Sequence, residues 1–160
     1  MANFYFPVMA VFAAQLVTAS VALAADDLSH GADLFTEKCA VCHQADGAGA
    51  PGLAPPLAGA LGGYVKTEAG QKYLSNLLVV GMNGPIESLG KKYNGVMPPW
   101  GALSDKDVEA VLRYVLVKFN GVTSGAQSLI PTADTIAKAR GSGATPPQVR
   151  EMRGKAREGQ

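Results

Sequence analysis

Five consecutive residues, Cys39-Ala40-Val41-Cys42-His43, hold the chain's most concentrated chemistry. Two thiols with two residues between them, and an imidazole directly after the second, is the spacing that attaches a c-type haem. Each thiol can add to one porphyrin vinyl group, giving two thioethers that do not dissociate. On a helical turn Ala40 and Val41 set the reach between the vinyls, and His43 faces the iron, which an imidazole nitrogen can coordinate. A closed zinc site would need four Cys, His or carboxylate ligands. The chain offers Cys39, Cys42, His30 and His43 near its N-terminus and no second pair. A thioredoxin-like dithiol would want a βαβ context, and strand-like runs are absent.

Iron held on both faces needs a partner opposite His43. Met82, Met97, Met152 and His30 are the donors outside the apolar N-terminus. Met97 is preferred, because Tyr93-Asn94-Gly95-Val96-Met97-Pro98-Pro99-Trp100-Gly101 reads as a stiff loop rather than helix or strand. A methionine serving as soft core filler belongs on a helix face, and Met97 is not placed on one. Met82, just past a helix end beside Gly81, is the reserve, and Met152 lies in a polar tail. A thioether is a neutral, polarizable donor, so His/Met ligation favours ferrous iron and raises the reduction potential. It also closes the sixth position, which allows electron transfer and disallows bond chemistry at iron.

The elements that must position these groups are mostly helical. Gly31 to Lys38 reads as a short helix running into the haem motif, with Leu34 and Phe35 on its apolar face. His30 precedes it and reads as a solvated side chain. From Gln44 to Gly63, Gly, Ala and Pro give loop composition, and a carbonyl of Pro55 or Pro56 is placed to accept the His43 ring N–H. Thr67 to Val80 has helical spacing, with Thr67 as cap and Gly81 as stop. Met82 to Tyr93 reads as loop. Ser104 caps the strongest helix, whose stripe runs Val108, Val111, Leu112, Val115 and Phe119 until Asn120-Gly121. This helix and the first are expected to pack together on one side of the haem. No segment alternates for long enough to propose a sheet, so the fold class is all-α.

Residues 1–25 carry no Asp, Glu, Lys or Arg and end in Ala22-Leu23-Ala24-Ala25. They read as a secretory leader cleaved after Ala24 or Ala25, or as an anchor if retained. Export agrees with haem attachment, which takes place outside the bacterial cytoplasm. Residues 26–120 form the haem domain, with 8 Lys/Arg against 10 Asp/Glu, and residues 121–160 a polar C-terminal extension with 6 against 3. Neither block is basic enough for nucleic-acid binding. Within the extension Thr132 to Arg140 and Thr145 to Lys155 can form short helices. Neither has a broad apolar face, so the extension is expected to be loosely docked or disordered.

Cys39-Ala40-Val41-Cys42-His43, Gly31 and Phe35 ahead of it, Met97 in its proline-bounded loop and Tyr114 in the following helix together resemble a class I cytochrome c over residues 30–120. The resemblance implies three to four helices and long loops wrapped around one covalent haem, with Tyr114 packed on the first helix near Gly31. It favours Pro55 as the acceptor from His43, through Pro55-Pro56-Leu57-Ala58-Gly59. Stretches such as Tyr93 to Trp100 look like bacterial periplasmic members. The resemblance therefore implies haem c on Cys39 and Cys42, iron between His43 and Met97, and a non-enzymatic one-electron carrier. Its partners would be a dehydrogenase, a bc-type complex or a terminal oxidase. Gly95 to Trp100, with Lys91 and Lys92, is the candidate flank of the docking face, although the lysine pair by itself reads as solvated. The alternative is a membrane-bound cytochrome c subunit of a dehydrogenase or oxidase. A peroxidase or gas-binding site would follow only if Met97 did not bind iron.

Overall fold

The computed structural model describes residues 28–123 and 129–158, so residues 1–25, read as leader or anchor, lie outside it. The first helix, α1, covers residues 28–43. It widens into one π-helical turn at Phe35–Cys39, where the Ala40 N–H reaches back to the Phe35 carbonyl, and Ala40–His43 then resumes the α-helix. An inserted residue re-phases a helix by about 100°. Phe35 thus stays in the core while the Cys-x-x-Cys-His turn is presented to a cavity.

Three further helices end where the sequence places caps and stops. In α2 (Glu68–Val80) the Thr67 hydroxyl accepts from the Gly70 N–H at 3.1 Å. In α3 (Asp105–Asn120) Ser104 and Asp107 form a reciprocal capping box, and Gly121 ends the helix in the left-handed conformation. In α4 (Ala133–Arg140) Thr132 and Thr135 form a second box. The last helix, α5, is Pro146–Glu158.

The expected pairing of α1 with α3 is present. Phe35 and Tyr114 lie 5.6 Å apart between ring centroids, and Phe119 closes the trio at 5.1 Å from Phe35. Gly31 is required there, because a Cβ would strike the Ala110 carbonyl and the Tyr114 Cβ. His30 is not merely solvated: its Nε2 lies 2.7 Å from an Asp107 carboxylate oxygen, tying α1 to the start of α3.

Two expectations are corrected. First, the stretch from Met82 to Met97 is not all loop. Met82–Asn83 (β1) pairs antiparallel with Val96–Met97 (β4), and Ile86–Ser88 (β2) with Lys91–Tyr93 (β3). Strands of two or three residues are too short to show alternation. Second, the extension is neither loose nor disordered. α4 and α5 pack on α2, and Ile136, Val149 and Ala156 are fully buried. Its charged side chains serve as ties: Arg140 pairs with Asp105 at 2.7 Å, Arg150 donates to the Asn83 carbonyl, and Arg153 and Arg157 donate to that of Glu87. The core thus runs from α1 and α3 through Leu74 of α2 to α4 and α5.

Candidate haem site

α1, the loop after it, α2, β1, β4 and α5 surround a cavity of about 280 Å³ whose wall is mostly apolar. Cys39, Cys42 and His43 line it from α1. The loop that follows folds back under the imidazole, with the Gly49 N–H on the His43 carbonyl at 2.9 Å and the Leu57 N–H on that of Gly47 at 2.8 Å. This fold-back brings the Pro55 carbonyl to His43, whose Nδ1–H donates to it at 3.0 Å. Of the two prolines offered by the sequence, Pro55 is the acceptor.

That bond has a consequence for the ring. A carbonyl can only accept, so Nδ1 carries the proton and Nε2 keeps its lone pair. Burial lowers the His43 pKa, and the Pro55 bond opposes the shift without cancelling it. The ring is therefore held neutral and ready to donate to a metal. Burial pushes the Cys39 thiol up to about 11, with neighbouring Cys42 adding to the rise. With no metal present, Cys39 is thus an uncharged thiol at neutral pH. Among the described residues no three His, Cys, Asp or Glu side chains cluster as a metal site of their own.

The opposite wall is the β1–β4 ribbon. Met97 does not sit on a free loop; it pairs directly with Met82, and both side chains line the cavity. The ribbon is pinned at both ends. The Trp100 N–H donates to the Leu78 carbonyl at the end of α2 at 2.7 Å, and the Asn94 N–H to the Gly52 carbonyl in the loop beneath His43 at 3.3 Å. Gly95 lies so close to that loop that a Cβ would strike the Leu53 carbonyl. The structure thus brings Cys39, Cys42, His43 and Met97 to one cavity. Met152 does not line it, and His30 pairs with Asp107 instead.

Sequence reasoning missed the cavity's polar lining. Tyr64 and Tyr73 lie 4.9 Å apart between centroids, and Arg153 of α5 reaches the cavity beside them. Burial raises the pKa of both phenols, while Arg153 opposes the rise. Tyr73 was legible only as one member of a helical stripe. For Arg153 the signal was the spacing of Arg150, Arg153 and Arg157 along one helix face.

The donors fit a porphyrin better than a bare ion, because two unpaired thiols and a neutral imidazole share one apolar cavity with a thioether. A family model described as cytochrome c matches residues 28–117. The chain belongs to the cytochrome c family. A cytochrome c-552 of Thermus thermophilus is 38% identical over 135 residues, covering 84% of this chain and 88% of that protein. A second Thermus thermophilus cytochrome c-552 is 39% identical over 120 residues, 74% of this chain and 90% of that protein. Cytochrome c6 of Bryopsis maxima is 34% identical over 95 residues, 59% of this chain and 94% of that protein. As a cytochrome c the chain carries covalently bound haem c, and Cys39 and Cys42 stand in the attachment positions. It is a class I cytochrome c of the mostly helical cytochrome c fold and an electron-transfer haem protein.

Proposed function

We propose that this cytochrome is an exported one-electron carrier whose iron is held by His43 on one face and Met97 on the other. The observation that carries the proposal is the cavity itself, with the Cys39–His43 turn on one wall and Met97 on the strand that bounds it. The haem supplies the one-electron couple. The chain supplies the rest: Pro55 holds the Nδ1 proton and thereby strengthens Nε2 as a donor. Met97 closes the distal side, and the apolar walls from α2 and α3 exclude water and disfavour the more highly charged oxidised state. Arg153, with Tyr64 and Tyr73, offers a cation and two hydroxyls to the carboxylate arms of the porphyrin.

Residues 26–120 serve as the haem domain, and residues 121–160 as an extension that completes it. Residues 1–25, as an apolar leader ending in small residues, would direct the protein to the periplasm. No helix among the described residues is long and apolar enough to cross a membrane. The redox partners fall in the classes of dehydrogenase, bc-type complex or terminal oxidase. Exposed Val41, Leu53 and Val96 line the cavity, and Lys91 and Lys92 are exposed on β3. Apolar contact ringed by charge suits a brief encounter that must dissociate quickly. The test is a reductive titration of the holoprotein. It should take up one electron per chain reversibly, with carbon monoxide leaving the reduced spectrum unchanged. Rapid carbon monoxide binding would favour a gas-binding or peroxidase site instead.

A further inference from the structure

Two methionines, not one, face the distal side of the cavity. β1 and β4 are antiparallel, and Met82 is the direct partner of Met97. Side chains directly opposite one another in such a pair project from the same face of the ribbon. Both line the cavity that holds Cys39, Cys42 and His43, and Met82 is the more buried of the two at 8% exposed.

We propose that Met82 is a second thioether donor for the same iron, able to take the distal position when Met97 leaves it. This rests on the reading of Met97 as the native ligand. Opposed Cα atoms in an antiparallel pair stand about 4.5–5.5 Å apart, and three rotatable bonds let a methionine sulfur sweep a wide arc. Gly81 at φ 76° and Gly84 at φ 89° flank β1, and both adopt the left-handed region that favours glycine. Beyond Met82, β1 is tethered, because Arg150 of α5 donates to the Asn83 carbonyl at 3.2 Å. The Met82 sulfur therefore reaches for the iron by rotation of its own side chain, while Arg150 holds the backbone of β1 in place.

If Met82 were only core filler, leucine would serve as well and nothing but volume would change on substitution. The two roles separate spectroscopically. The variants are Met97→Leu, Met82→Leu and the double Met82→Leu/Met97→Leu, with Met97→Ala as a second single variant free of a branched side chain. Haem stays attached through Cys39 and Cys42 in all of them. The readouts are the spin state, the weak far-red band that a thioether gives with ferric haem, and carbon monoxide affinity of the reduced protein.

Met82→Leu should keep the native spectrum. Met97→Leu and Met97→Ala should stay low-spin and keep a far-red band shifted from the native position. The double variant should be high-spin. If Met82 occupies the iron nine parts in ten, carbon monoxide should bind the single Met97 variants about tenfold more weakly than the double. Single Met97 variants as open as the double would overturn the proposal. So would a low-spin form without the far-red band, which signals a nitrogen donor, or Met97 variants that both fail to fold. Loss of the native band in Met82→Leu with no change in Met97→Leu is a different result: the native ligand would then be Met82, and the Met97 reading itself fails.

Discussion

Replacing Ile136 by Ala tests whether the C-terminal extension is part of the haem fold. Ile136 is fully buried where α4 packs on α2, the helix that contributes Tyr73, Leu74, Leu77 and Leu78 to the cavity. The substitution removes three buried carbons at about 0.8 kcal/mol each, and incomplete collapse of the void adds to this. The expected loss is about 3 kcal/mol, inside the range of about 2–5 kcal/mol for such truncations. For a chain of this size that corresponds to a fall in Tm of roughly 10 °C. Thermal unfolding of the holoprotein followed by circular dichroism measures it. Lys138→Ala, at an exposed position of the same helix, is the control and should lie within about 0.5 kcal/mol of the unmodified protein. Because α4 and α5 pack together with α2, amide exchange should also quicken along α5, where Arg153 resides. An Ile136→Ala protein within about 0.5 kcal/mol of the original would refute the packing of the extension onto α2.

Three further outcomes follow from particular contacts. Gly95→Ala places a methyl group against the Leu53 carbonyl; it should cost about 1–3 kcal/mol and weaken the far-red band by parting the two loops, whereas an unaltered spectrum and stability would show that the approach is not needed. Bonds from His30 and from Ser104 hold the Asp107 carboxyl below its ordinary pKa. Its contribution, about 0.5–1 kcal/mol for so exposed a group, is therefore full above about pH 4 and lost as pH falls through the lowered value. Denaturant unfolding should show Asp107→Asn less stable than the original at neutral pH and the gap closing in acid; a gap that persists at about pH 2, below the carboxylate range, would contradict the assignment. Charge reversal of Lys91 and Lys92 should slow electron transfer to an acidic partner and flatten its salt dependence, and unchanged kinetics would remove these lysines from the docking face.

How legible the molecule was in its sequence depended on how local each determinant is. The Cys39–His43 spacing is fixed by covalent chemistry within five residues, so it reads directly. The caps at Thr67 and Ser104 are equally local, and so are the stops at Gly81 and Gly121. The Pro55 acceptor needed only a loop that folds back twelve residues later. The β1–β4 ribbon was illegible, because its strands are two residues each and Met82 meets Met97 across fourteen intervening residues. The extension misled because its buried stripe is thin: Ile136 and Ala139 in one helix, Val149 and Ala156 in the other, among many charges. Its arginines bind backbone carbonyls of β1, β2 and the α2–α3 connection, partners that no composition argument can anticipate. The π-turn at Phe35–Cys39 likewise leaves no residue signature, since its side chains suit an ordinary helix equally well.

The most direct test of the account is proton NMR of the reduced holoprotein with methionine methyl groups isotopically labelled. One methyl resonance should lie far upfield of all others, displaced by the porphyrin ring current, and its retention in Met82→Leu assigns it to Met97. A spectrum in which no methionine methyl is so shifted would contradict the closed His43–Met97 site.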